Sequence, residues 1–234
     1  MKKILAIALV LMLAVGCFCL TGCGDATFGG NYQEATAEDV QTFAENAALE
    51  QGSQEIDYTQ GYQLVANVDV DGNKMEMDIK FANDDEKGLV LKADMKVSGD
   101  EPINLNAYVI DNYMYAQMEG QKVKMFDNMI TPTYTGLLSE LQDFDLSALA
   151  LRAAEDTGIK LGMAQEADGT TKIKFEMPEE TGIAGTIILV FDGEYNLTAM
   201  KFDVVINDVT MDLELKPFAG NINLPSDLDS YVGF

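Results

Sequence analysis

Residues 61–126 decide the fold, and they read GYQLVANVDVDGNKMEMDIKFANDDEKGLVLKADMKVSGDEPINLNAYVIDNYMYAQMEGQKVKMF. Apolar and polar residues alternate within successive runs of this stretch, as where Met75 and Met77 flank Glu76. A period of two places alternate side chains on opposite faces of a β-strand. Short turn motifs such as Asp-Gly-Asn at 71–73 separate the runs and favour tight antiparallel hairpins. The stretch therefore predicts a β-meander with one apolar face and one wetted face.

The same alternation returns in the second half of the chain after an interruption. Asp-Gly pairs and an Asn-Asp pair separate the runs and again indicate hairpin turns. The predicted strands of this half cover residues 159–166, 171–177, 182–191, 197–207 and 209–216. With the first meander, they make about eleven strands.

Two segments change to a helical period. Residues 34–50 carry an apolar stripe of Val40, Phe43, Ala44 and Ala47 behind a Thr36–Asp39 pair that resembles a capping box. Residues 131–157 are rich in leucine and predict one broken helix or two short ones, which we expect to lie across the open side of the sheet. The fold class is therefore mainly β with a minor helical part (α+β).

The apolar face of such a sheet is wider than these helices. Eleven strands spaced by about 4.8 Å span roughly 50 Å, whereas two helices, each about 10 Å wide, cover roughly 20 Å. Large twisted sheets curl, and about eleven curled strands enclose enough room for a ligand. Complete filling by helices and side chains is the alternative. The residues that we expect to line the interior are Met75, Met77, Phe81, Leu89, Leu91, Met95, Leu105, Phe175, Leu189, Phe202, Val204, Met211 and Leu213.

The N-terminus is a processing segment. Lys2 and Lys3 precede a short apolar run, and residues 20–23 read Leu-Thr-Gly-Cys, the pattern of a bacterial lipobox. We therefore predict a lipoprotein signal peptide over 1–22 and a diacylglycerol anchor, with palmitate-type chains, on Cys23. A weaker lipobox ends at Cys17, and an ordinary secretory signal is a further alternative.

The predicted signal peptide and anchor determine the domain organisation and the location of the mature chain. Residues 23–33 are small and polar and predict a flexible tether. Residues 34–225 form one predicted domain, and 226–234 are a C-terminal tail. The anchor places the domain at the extracytoplasmic face of the cell membrane. Because Cys17 and Cys19 would leave with the signal peptide, the mature chain keeps no second cysteine for a disulfide.

The charge of the chain excludes one class of partner. The sequence has 15 basic and 39 acidic residues, and removal of Lys2 and Lys3 leaves 13 basic residues and a net charge of −26. Such a surface repels nucleic acid and anionic lipid headgroups. We therefore expect no nucleic-acid binding, and a membrane contact that depends on the lipid anchor.

One region resembles a known family. Residues 108–115 form a strand, a tight Asp-Asn turn and a Tyr-x-Tyr strand, and a Gly turn and a Lys-x-Lys strand follow at 119–124. With the lipobox and the one-sided meander, this pattern resembles bacterial lipoproteins of the LolA/LolB-like half-barrel group, which includes mycobacterial surface-lipid carriers. The group often has a Trp where this chain has Val123. The resemblance covers most of residues 34–225 and implies a strongly curved antiparallel sheet, a half-barrel, that packs against helices and holds acyl chains in an apolar cavity.

Catalytic chemistry finds little support in the sequence. The chain has no His, no nucleotide-binding glycine loop, and no mature thiol besides Cys23. The Asp-rich segment 69–73 departs from a calcium loop and predicts a hairpin turn instead. We expect no catalytic residue, metal or cofactor, and therefore not an enzyme; a hydrolase would require a cleft with two facing acids, which is a third hypothesis. The leading hypothesis is a lipid-anchored protein that binds a lipid or an acylated ligand, and the alternative is a surface interaction or sensory accessory lipoprotein without a small ligand. No protein partner is indicated.

Overall fold

One long β-sheet contains most of the residues that the structure describes. The computed structural model describes residues 27–50, 61–70, 73–84, 87–99, 102–127, 146, 153, 158–178, 183–206, 209–218 and 220–233. The strands are β1 Gln33–Ala35, β2 Gly61–Val70, β3 Asn73–Asp84, β4 Gly88–Val97, β5 Ile103–Ile110, β6 Tyr113–Met118, β7 Gln121–Phe126, β8 Lys160–Gln165, β9 Thr171–Met177, β10 Ile183–Phe191, β11 Leu197–Ile206, β12 Val209–Phe218 and β13 Val232–Gly233.

The sheet consists of two antiparallel meanders. Strands β2 to β7 form the N-terminal half-sheet and β8 to β12 form the C-terminal half-sheet, and the pairing of β12 with β2 joins them. The order across the sheet is β1-β8-β9-β10-β11-β12-β2-β3-β4-β5-β6-β7-β13. Its two ends are the short strands β1 and β13, which pair with β8 and β7 and not with each other, so the sheet is open.

The prediction of about eleven strands was incomplete. All eleven predicted strands are present, because period-two alternation marks each of them. The structure adds β1 and β13, and the described strands number thirteen. These two strands have three and two residues, too few for an alternation to show. The tight turn predicted between β5 and β6 is confirmed, since Asp111 and Asn112 have φ of 50° and 64°, as a two-residue hairpin loop requires.

The described residues contain one helix, α1, at Ala37–Glu50. It begins three residues later than predicted, because Gln33–Ala35 pairs with β8 instead. The capping box is confirmed: the Thr36 backbone N–H donates to Asp39 Oδ2 at 2.7 Å, and the Asp39 N–H donates to Thr36 Oγ1 at 3.1 Å. The Thr36 hydroxyl also donates to Asp39 Oδ2 at 2.7 Å, and this hydrogen bond together with that from the Thr36 N–H lowers the pKa of the Asp39 carboxyl.

The second predicted helix, over 131–157, lies outside the described residues except at two positions. Leu146 and Ala153 are both helical. Leu146 is buried in the main core of the sheet, and Ala153 packs against that core. The prediction of two covering helices is thus replaced by one described helix and these two helical contacts.

The outer face of the sheet carries the charged residues and pairs them along and across strands. Lys80 Nζ lies 2.8 Å from Asp78 Oδ2 on β3, and Lys201 Nζ on β11 lies 2.8 Å from Glu214 Oε1 on β12. Most such pairs are partly exposed, and exposed pairs of this kind contribute little to stability. These charged residues keep the outer face hydrated. The apolar side chains that alternate with them point to the inner face.

The C-terminal residues 226–231 lie on the outer face beside β7. A 3-10 turn at Leu228–Ser230 precedes Tyr231, which is buried and packs edge-on against Tyr115 with ring centroids 5.6 Å apart. Asp227 pairs with Lys122 on β7, and β13 then runs parallel to that strand. These contacts cover part of one edge of the sheet.

Candidate ligand-binding face

The inner face of the sheet carries an unbroken row of apolar side chains, here called the central row. Its members are direct cross-strand partners from β8 at one end to β6 at the other. In spatial order they are Leu161, Phe175, Ile187, Phe202, Leu213, Ala66, Met77, Met95, Leu105 and Met118. The row shows that the alternation of ten separate strands is aligned onto one continuous apolar surface.

All thirteen residues that the sequence predicts as lining residues lie on this inner face. Met75, Leu89 and Phe202 are partly buried and pack against the main core. The others are buried, with exposed fractions of 9% or less: Met77, Phe81, Leu91, Met95, Leu105, Phe175, Leu189, Val204, Met211 and Leu213. The structure thus brings these residues together, and their role toward a ligand stays a prediction.

The inner positions of strands β2 to β12 hold no Asp, Glu, Lys or Arg in the observed register. Polar residues occur there only near strand ends, as with Gln121, Gln165 and Thr171. A charged group on this face would lose its hydration without a charged partner on the strands, which is costly. The face therefore suits uncharged apolar groups.

Helix α1 packs on the inner face over the C-terminal half-sheet. Val40 is fully buried, and the Phe43 ring lies 5.1 Å from Phe191 and 5.2 Å from Tyr195. These rings join α1 to β10 and to the turn after it. Aromatic contacts at such distances add to the stability that burial provides, so α1 holds this half of the sheet.

A second cluster on the inner face, here called the methionine cluster, belongs to the N-terminal half-sheet. Its buried members are Ala66, Met77, Met95 and Leu105, and Met75, Val97, Ala116 and Met118 pack around them. Every one of these residues comes from a strand, and none from α1. Methionine side chains are flexible and polarizable, and they fit apolar partners of varied shape.

The outer face holds a buried ionic group that sequence reasoning missed. Asp212 is 1% exposed, and its Oδ2 accepts no hydrogen bond from the described residues. Lys201 Nζ lies 3.8 Å from Asp212 Oδ1, while burial raises the pKa of the Asp212 carboxyl to about 6. Alternation correctly assigns Asp212 to the outer face but carries no signal for what lies over that face.

An apolar patch, here called the exposed edge patch, lies at the β7 edge of the sheet. It consists of Tyr113 and Phe126, a cross-strand pair on the outer face, which are 40% and 63% exposed. The Tyr113 and Phe126 rings meet edge-on at 5.8 Å, and Lys124 Nζ lies 4.3 Å from the Tyr113 ring centroid. Aromatic residues beside a cation at a sheet edge form a surface that a partner could cover.

Two other kinds of site have no counterpart in the described part of the chain. No helix there is long and apolar enough to cross a membrane. Nor do His, Cys, Asp and Glu side chains of those residues gather in a group of three or more that could hold a metal ion.

Comparison with known proteins gives similarity at the level of solved structures. No protein-family model matches the chain, and no curated protein matches it in sequence. The chain is similar to the crystal structure of LprF from Mycobacterium bovis, with 13% identity and a TM-score of 0.37 over 85% of this chain and 99% of that one. It is also similar to a DUF1329 family protein from Desulfovibrio piger, with 9% identity and a TM-score of 0.23 over 80% of this chain and 95% of that one. Both TM-scores are below 0.5, and the functional proposals depend only on the residues of this chain.

Proposed function

We propose that the chain is a lipid-anchored extracytoplasmic lipoprotein whose sheet curls into a half-barrel and holds acyl chains or another uncharged hydrophobic ligand on its inner face. The observation that carries this proposal is the central row. It continues across ten strands, and its strand members remain buried or half-buried along the whole width. The inner face is the site of binding, and the lining residues named above would contact the ligand.

The extent of the inner face supports the proposal. Ten strands spaced by about 4.8 Å separate the ends of the central row by roughly 43 Å along the sheet. Helix α1 has 14 residues, which makes it about 21 Å long and about 10 Å wide. A helix of this size covers one part of the row, and its ring contacts lie over β10. Curling of the sheet, the segment at Leu146 and Ala153, and a bound apolar chain would together cover the remainder.

The character of the inner face restricts the ligand class. Since the inner strand positions carry no formal charge, the buried part of the ligand should be a neutral chain. A polar or charged headgroup would remain at the open side, in water. The methionine cluster would give the N-terminal half-sheet tolerance for chains of different length and branching.

A matched pair of substitutions tests ligand binding. Met118 is a partly exposed member of the inner face, and the adjacent Gln117 faces outward on the same strand. In the unacylated mature protein, Met118→Lys should weaken binding of a fluorescent fatty acid or diacylglycerol by about tenfold or more, which corresponds to about 1.4 kcal/mol. Gln117→Lys adds the same charge outside and should leave binding unchanged. Equal binding by both variants, or none by the unsubstituted protein, would overturn the proposal.

The anchor is tested separately. Metabolic labelling with radioactive palmitate in a bacterial host should label the protein, and Cys23→Ala should remove the label. Cys17→Ala is the matched control, because it changes the weaker lipobox and should leave the label in place. Loss of label only in the Cys17 variant would move the anchor, and label in neither parent nor variants would remove it from the proposal.

The exposed edge patch favours a second candidate function, the docking of a protein partner without a small ligand. Phe126 is 63% exposed and the Tyr113 ring that it contacts is 40% exposed, so both rings are open to a partner. Chemical cross-linking in envelope extracts should then capture one partner, and Phe126→Ser should abolish capture. Val205→Ser is the control, since Val205 is an exposed apolar residue on β11. Capture that survives Phe126→Ser would exclude the patch as the docking site.

A further inference from the structure

The segment between the predicted anchor and β1 is fixed to the outer face of the sheet. Residues 27–32, here called the N-terminal strap, include Phe28, which is 4% exposed. Phe28 packs with Val190 of β10 and Ala199 of β11, and Ile188 packs against this group. An aromatic ring buried in this way is a specific seat, and the strap is therefore part of the folded domain.

Polar contacts hold the strap on both sides of this seat. The Lys172 ammonium donates to the Gly29 carbonyl at 2.5 Å, and the Tyr32 hydroxyl donates to the Phe28 carbonyl at 2.7 Å. Burial raises the pKa of the Tyr32 phenol to about 12, so this hydroxyl remains a donor at neutral pH. Lys174 Nζ lies 5.1 Å from the Tyr32 ring centroid, which adds a cation–π contact.

The path of the strap relates the two faces of the sheet. Phe28 sits over β10 and β11, Lys172 and Lys174 on β9 contact the following residues, and the chain then enters β1 at the edge beside β8. Helix α1 continues on the inner face. The N-terminal segment thus wraps around one edge, and a pull on the chain before Phe28 acts on the outer face.

We propose that the strap holds the outer face of β10 and β11 against the bilayer surface, which leaves the inner face directed away from the anchoring membrane. This inference rests on the lipid anchor in the proposed function, and it does not depend on a bound ligand. Cys23 precedes Phe28 by five residues. Because a fully extended chain spans at most about 3.6 Å per residue, the acylated residue lies within roughly 18 Å of the Phe28 seat.

Charge does not explain this placement. The lysines around the strap are paired with acids: Lys172 with Glu166 at 2.6 Å, Lys174 with Glu176 at 2.5 Å, and Lys201 with Glu214 at 2.8 Å. Each of these lysines has at least one acidic partner, and Lys201 also lies 3.8 Å from Asp212, so these lysines give the surface near the seat no net positive charge. The bilayer contact follows from the short covalent connection, and it should persist at salt concentrations that screen surface charges.

Collisional quenching tests the orientation in the full lipidated protein. Asp203 and Asn104 are both exposed on the outer face, in one cross-strand row from β11 to β5. They are five strand spacings apart, which is roughly 24 Å. A fluorophore on Asp203→Cys should be quenched by a headgroup nitroxide lipid in neutral phosphatidylcholine vesicles, and one on Asn104→Cys should not.

Two changes to the strap should remove the difference between these labels. Phe28→Ala should abolish quenching at position 203 by releasing the seat, whereas Val232→Ala, which truncates an exposed apolar residue outside the strap, should leave it intact. A flexible insert of twelve residues before Phe28, with a root-mean-square length of about 20 Å, should reduce quenching without touching the folded domain. Mass spectrometry of the N-terminal peptide and circular dichroism accompany each variant.

Several outcomes overturn the inference: equal quenching at the two positions, quenching that 0.5 M NaCl abolishes, or an unacylated Cys23 peptide. Failure of the hydrophobic-ligand proposal is distinguishable, because quenching is measured on protein freed of extractable lipid. Persistence of the difference in that protein supports the strap whatever the ligand assay shows.

Discussion

The two halves of the sheet bury their apolar residues in different ways. The C-terminal half-sheet is held from both sides, since Phe43 of α1 packs on Phe191 inside and Phe28 of the strap packs on Val190 and Ala199 outside. The methionine cluster of the N-terminal half-sheet consists of strand residues alone. Strands β2 to β5 also contribute residues such as Ile79 and Leu91 to the main core that α1 joins. The contrast is therefore confined to the methionine cluster, which we propose is the adaptable part of the binding surface.

Removal of the Phe43 ring should have the largest effect on this contrast. Phe43→Ala deletes a buried side chain with two aromatic contacts, and such truncations cost about 3–5 kcal/mol of unfolding free energy. Urea denaturation followed by circular dichroism measures it. A loss below about 1 kcal/mol would show that α1 does not hold the C-terminal half-sheet.

The buried Asp212 on β12 should make the stability of the C-terminal half-sheet depend on pH. Its pKa is raised from 3.8 to about 6, so the folded state binds a proton more tightly than the unfolded state. The stabilisation that the protonated Asp212 gives the folded state is fully present below about pH 4, and it is lost as the pH rises through about 6. We expect Asp212→Asn to be more stable than the parent at pH 7.5 by about 1–3 kcal/mol.

The control for that prediction is to compare the free energy of unfolding of the two proteins at each pH. The difference between them cancels the titration of all other groups. The difference should shrink between pH 7.5 and pH 4. A difference that is constant over this range would contradict the assignment of the raised pKa to Asp212.

A shape change within the methionine cluster should have a smaller effect on stability and a visible effect on ligand range. Met77→Leu conserves volume, and such swaps in cores usually cost less than about 1.5 kcal/mol. Because Leu is stiffer than Met, the variant should bind fewer members of a panel of straight and branched fatty acids tightly than the parent does. The same range in both proteins would assign Met77 to ordinary core packing.

Loss of the helix cap should give the smallest effect. Thr36→Ala removes the hydroxyl that accepts from the Asp39 N–H, and N-cap substitutions of this type cost about 1 kcal/mol. Thr36→Ser keeps the acceptor and is the matched control. If both variants lose the same stability, the cap geometry is not the cause.

Much of the fold follows from the sequence because period-two alternation specifies both the strands and their faces. This is why eleven strands and the inner-face positions of residues such as Met95 and Phe175 could be predicted. The start of α1 was three residues off, since the pattern around Glu34 does not reveal pairing with β8. The short strands β1 and β13 were missed for lack of length.

The candidate site shows where sequence patterns end. Alternation places Asp212 and Lys201 outward, but their burial depends on what covers the outer face. Phe28 is flanked by small and polar residues, so the sequence around it shows no periodicity that would predict its packing against β10 and β11. Residues 23–33 were predicted as a tether and 226–234 as a tail, whereas Phe28 and Tyr231 are buried within them. The domain boundaries themselves stay predictions.

The most direct test of the account is the native mass of the unacylated mature domain after gentle purification from a lipid-containing bacterial host. We expect a population heavier than the polypeptide by the mass of one or two hydrophobic molecules. Organic extraction should remove that mass and release neutral or acylated lipid. A single species at the polypeptide mass, with no lipid in the extract and no uptake of added fatty acid, would contradict the central claim that the inner face holds a ligand.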